Sequence, residues 1–95
     1  MDRESAIALL ESRHSFPSDH GFHVIVRADE AHIAVVTCAI AEHRGLDSLE
    51  GRLVTVPSKN GTYVSLRLSL PCASAADVLD VYARLATLEH VVRYL

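Results

Sequence analysis

The sequence contains no apolar run approaching the roughly 18 residues that a membrane-spanning helix needs, no CxxC pair and no glycine-rich phosphate loop. The first absence predicts a chain that does not enter a bilayer. The lone cysteines Cys38 and Cys72 predict two free thiols and a cytoplasmic location, the default where no disulfide framework exists. Gly45, Gly51 and Gly61 are scattered and read as turn punctuation. Positive charge is in short supply: nine Lys and Arg stand against twelve Asp and Glu, a net charge of −3. That balance opposes a nucleic-acid backbone as partner, because such binding releases counterions through a basic surface. The opening MDRESAIALLESRHSF mixes charges and has neither a long apolar centre nor a small-residue cleavage pattern, so no secretion signal is expected.

What is present is the composition of one small globular domain, 95 residues with 49% hydrophobic content. A chain of this size buries about 60–70% of the surface its unfolded form exposes, enough for a single core. RESAIALLES, residues 3–12, predicts a short helix carried on Ile7 and Leu10, closed off before Phe16-Pro17. FHVIVRA, residues 22–28, alternates and is β-branched, so it predicts a strand. Asp29 caps a helix over residues 30–44 with Ile33, Val36 and Ile40 on one face, and Gly45 stops it. GRLVTVPS and TYVSLRLSL predict the second and third strands around Asn60-Gly61. Ser74 with Asp77 predicts the cap of a helix through Val78, Val81, Tyr82 and Leu85, and EHVVRYL closes the chain as a strand. The order β-α-β-β-α-β after a short helix is that of a ferredoxin-like α+β sandwich, an antiparallel four-stranded sheet with two helices on one face. Right-handed crossovers put the first and third strands in the centre. Residues 1–15 read as a helical extension and residues 16–95 as the domain proper.

Three stretches carry a family resemblance: FPSDHGFHVI, PSKNGTYVSLRLSL and VYARLATLEHVVRYL. Phe16-Pro17, His23-Val24, Ser58, Gly61, Tyr63 and Ser65, then Val78, Tyr82 and Leu85, resemble in order and spacing the YbeD-like proteins. The resemblance runs from Phe16 to Leu95. It implies an ACT-like, ferredoxin-type fold and a small bacterial regulatory or interaction protein of unknown function. Some members carry a lipoic acid-binding regulatory label, although Lys59 here lies outside the Asp-Lys-Ala setting of lipoylated carriers. Val26 stands where ACT-type amino-acid sites use glycine, which weighs against such a site.

Alternation in residues 63–70 sends Val64, Leu66, Leu68 and Leu70 to one side of the sheet and Tyr63, Ser65, Arg67 and Ser69 to the other. The leucine side belongs against the helices, since each burial contributes about 1.5–3 kcal/mol. His23, Ile25 and Arg27 join Tyr63 on the open face. A two-residue type I′ loop at Asn60-Gly61 sets Val56 opposite Ser65 and adds Val54 and Val56 to that face; a three-residue loop would reverse them. The shorter loop is the expectation. The candidate binding face is therefore His23, Ile25, Arg27, Val54, Val56, Tyr63, Ser65 and Arg67, an apolar stripe with a polar rim. Its expected occupant is a protein partner or a second copy, with coverage by the N-terminal helix as the bland alternative. A small carboxylate, lipoate or an amino acid, held by Arg27, Arg67 or His23, is the alternative function.

Chemistry is otherwise thin. His20 and His23 cross from a loop into a strand, and His32 and His43 lie about 16 Å apart along one helix, so no metal site is expected. Cys38 in mid-helix reads as a small hydrophobe, and Cys72 after Pro71 as the more accessible thiol. Asp77 and Asp80 read as a solvated helix face. Tyr63 is the one aromatic on the open face, too few for RNA stacking. No catalytic residue, cofactor or enzymatic activity is expected.

Overall fold

The computed structural model describes residues 2–95. Its elements are α1 (Arg3–Arg13), β1 (Ser18–Arg27), α2 (Glu30–His43), β2 (Leu53–Pro57), β3 (Tyr63–Cys72), α3 (Ala75–Thr87) and β4 (Val91–Tyr94). The strands form one antiparallel sheet in the order β2-β3-β1-β4. This is the ferredoxin-like two-layer fold, with β1 and β3 in the centre. Phe22, Val24 and Val26 of β1 and Val64, Leu66, Leu68 and Leu70 of β3 are buried against Val36 and Ile40 of α2 and Val78, Val81 and Leu85 of α3. One side of the alternation thus builds the whole core, as period-two patterning requires.

Local chemistry explains the boundaries. Asp29 Oδ1 accepts from the amides of Ala31 and His32 and starts α2. At its other end Leu46 N donates to Ala41 O and Gly45 N to Glu42 O, a Schellman closure for which Gly45 supplies φ +67°. The cap of α3 departs from expectation. Ser74 occupies the N-cap position without a side-chain bond, while Asp77 Oδ2 reaches back to accept from Ala73 N at 2.7 Å. Asp77 also pairs with Arg44 at 3.3 Å, which ties the first turn of α3 to the end of α2.

Two strands are longer than their apolar segments. β1 begins at Ser18 because it pairs with β3 through Ser18↔Cys72, so Ser18-Asp19-His20-Gly21, read as loop from polarity, is strand. Extension of β3 through Pro71 to Cys72 overturns the accessibility expected of the thiols. Cys72 falls in step with Leu68 and Leu70 and is buried, whereas Cys38 is exposed.

The hairpin keeps the expected register by another turn. Val56 lies opposite Ser65 and Val54 opposite Arg67, but the connection is wider than a two-residue loop. Gly61 N donates to Ser58 O at 3.0 Å, and Gly61 alone takes positive φ (+73°) there. A type I′ turn needs positive φ at both central residues, and Asn60 does not have it. Ser58 diverts the ladder: its Oγ accepts from Tyr63 N, and its own amide donates to Tyr63 O.

Candidate functional site

The helix α1 does not cross the sheet. Arg3 pairs with Asp80 of α3 at 3.4 Å, and Leu10 packs on the core from the helix side. The opposite face of the sheet consequently has no element above it among the described residues. Registers place all eight expected residues there: His23, Ile25 and Arg27 on β1, Val54 and Val56 on β2, and Tyr63, Ser65 and Arg67 on β3.

Their neighbours across the strands define the surface. His23 lies opposite Arg67, Ile25 opposite Ser65 and Arg27 opposite Tyr63. The Arg27 guanidinium sits 5.6 Å from the centre of the Tyr63 ring, a cation–π contact that holds the ring half-buried. Val54 is the most exposed large apolar residue in this part of the molecule, at 60%. Val56 and Ile25 are half-buried, while Arg67 is exposed. His23 Nε2 is buried and has no hydrogen-bond partner among the described residues. The face therefore offers an aliphatic patch, a tyrosine and guanidinium groups.

Several residues of this face escaped the sequence reading. Arg52 lies opposite Ser69, through Ser69 N donating to Arg52 O, and reaches across to pair with Asp19 at 3.2 Å. Carrying the alternation of β2 back one step beyond Leu53 would have found it. Arg93 lies opposite Ile25, and Leu95 exchanges backbone bonds with His23 at 2.7 and 3.2 Å. Leu95 is 57% exposed. No pattern signalled these two, because β4 carries a bulge where Ile25↔Arg93 is followed by Val26↔Val91.

Away from the sheet's open face, a cleft of about 560 Å³ lies between α2 and the segment leading into β2. Ala41, Leu46, Leu49 and Leu53 make its apolar wall, with Cys38 and Glu42 at the helix edge. At the other end of the domain an aromatic row runs from His14 through His20 and Phe22 to Tyr82 and Tyr94, with centroid steps of 4.8, 5.1, 5.3 and 5.9 Å. Burial, assisted by the neighbouring His14, lowers the His20 pKa below its ordinary 6.5. Burial raises the Cys72 thiol, and the Ala73 amide holds the Asp77 carboxyl below its ordinary value. His32 and His90 stack at 3.9 Å beside Asp29. Among the described residues no three His, Cys, Asp or Glu side chains are placed to hold one metal ion. Nor is any helix among them long and apolar enough to cross a membrane.

The pattern of a protein family of unknown function, DUF493, matches residues 11–95. The chain belongs to the DUF493 family. The match starts in the last turn of α1 and takes in every strand, so the whole DUF493 sheet with its open face lies inside it. No curated protein and no solved structure matches this DUF493 chain.

Proposed function

We propose that this DUF493 domain is a non-catalytic, cytoplasmic binding module whose open sheet face docks a protein partner. The carrying observation is that aliphatic side chains (Ile25, Val54, Val56 and Leu95), interleaved with Ser65, Arg67 and Arg93, are left outside the core on the sheet face away from α1. Exposed apolar side chains set among polar groups are what such interfaces use, and Tyr and Arg, both present, are among the residue types that most often anchor them. The YbeD-like, ACT-like resemblance supports the same reading, that of a small regulatory protein. The test is affinity capture from the native host with wild type and with the double variant Tyr63→Ala/Val56→Ser. The variant should keep its melting temperature and lose a specific captured protein; capture of the same set by both chains would refute the proposal.

A second reading, an ACT-like sensor of a small carboxylate such as lipoate or an amino acid, has support in the guanidinium groups of Arg27 and Arg67, which pair with no carboxylate among the described residues. A ligand of the native state raises its melting temperature. A panel of small acids that leaves the transition unmoved counts against this reading.

A further inference from the structure

Charge is divided unequally between the two sides of this domain. The chain carries twelve Asp and Glu side chains, and one of them, Asp19, lies on the open face. The others sit on α1, α2, α3 and the segments flanking them. The same face carries Arg27, Arg52, Arg67 and Arg93, out of nine Lys and Arg in the chain. Arg52 is matched by Asp19 at 3.2 Å; Arg27, Arg67 and Arg93 have no carboxylate within ion-pair reach among the described residues. An acidic protein thus presents a cationic sheet surface around aliphatic side chains, and its net charge conceals it.

We infer that the occupant of the open face is an acidic segment of a separate protein, in which apolar side chains are flanked by Asp and Glu. This rests on the binding-module reading and names the chemistry of its partner. Complementary potentials are how interfaces select partners, and like charges set face to face are costly. A symmetric dimer through this face would bring Arg27, Arg67 and Arg93 of two copies together with a single Asp19 from each. The charge pattern therefore disfavours the simplest self-association. Head-to-tail packing against the acidic helices of another copy would build a ring or an open chain of copies, whose mass rises with concentration. Nucleic acid fits less well, because bases need aromatic platforms and this face offers Tyr63 among valine, isoleucine and leucine.

The experiment pans a phage-displayed library of random 16-residue peptides against the full chain, then measures recovered peptides by fluorescence anisotropy. Peptides of net negative charge with apolar residues are expected. Arg67→Glu/Arg93→Glu should weaken them about tenfold or more, with added salt weakening the wild-type complex in the same direction. Val54→Ser/Val56→Ser should abolish binding while leaving the melting temperature in place. Peptides without charge bias that depend on Val54 and Val56 but ignore the arginine reversals overturn the acidic assignment and leave the binding module standing. Recovery of no peptide sensitive to Val54 and Val56 overturns both. Tighter binding of labelled poly(U) RNA to the same face, or a sedimenting mass that climbs with concentration and is abolished by the arginine reversals, overturns the separate acidic protein in favour of RNA or of a second copy.

Discussion

The two faces of the sheet are built from the same four strands and obey opposite rules. On the helix side, Val24, Leu66 and Leu70 are fully enclosed, and no polar or charged residue is buried among the described residues. On the open side, Val54 and Leu95 stay exposed, and guanidinium groups are interleaved with aliphatic ones. Adjacent residues of one strand therefore differ completely in what holds them. A core position answers to packing density, where removing a few methylenes leaves a void that neighbours only partly fill. An open-face position is free of that constraint, so its apolar character reflects strand preference together with whatever contacts the face makes.

Residues on neighbouring strands test this contrast most severely. Leu66→Ala should cost about 2–5 kcal/mol in chemical denaturation. Val54→Ser, across the hairpin on the other face, should stay within about 0.5 kcal/mol. A Val54 penalty approaching that of Leu66 would mean that the open face is covered in solution. A smaller effect probes how the helix layer is pinned. Asp77→Ala removes both the bond from Ala73 N and the pair with Arg44, and should cost about 1–2 kcal/mol. Because the native Asp77 carboxyl titrates below its ordinary 3.8, this contribution is complete above pH 3.8. It is lost as pH falls through the lowered native value, so wild type and variant should converge in acid. Melting curves that stay equally separated at every pH would exclude the carboxylate as the cause. The smallest perturbation leaves stability alone: a thiol reagent should modify Cys38 in the native chain and reach Cys72 only on unfolding. Rapid native labelling of Cys72 would show that the end of β3 is frayed.

Much of this arrangement was legible in the sequence, for reasons that single residues make clear. Val64 to Leu70 alternate without exception, and a period of two assigns every side chain of a central strand to a face. Val56 opposite Ser65 followed from the position of Asn60-Gly61, and the wider turn left that pairing intact because both loops are symmetric about the same midpoint. Ser58 changed the turn by offering its hydroxyl to Tyr63 N, a local competition that composition does not reveal. Polar Ser18 to Gly21 hid the first half of β1, since strand character there comes from pairing with β3 rather than from the residues themselves. Cys72 was misplaced for the same cause: Pro71 suggested an end, yet the ladder continues past it. Arg93 and Leu95 were beyond reach, and with them went part of the cationic surface.

The bulge in β4 has one more implication. Two residues, Val91 and Val92, share the single position opposite Val26, so Val91 packs on the core while Arg93 keeps its place beside Ile25. Val92 is the surplus residue of the strand. Excising it would straighten the edge and leave Val91, Arg93 and Tyr94 with their present neighbours, whereas deleting Arg93 would give the same register with Val92 beside Ile25 in place of the guanidinium. A four-residue strand thus carries one residue more than its pairing with β1 uses, and its loss would alter the edge without moving Tyr94 or Leu95 to the other face.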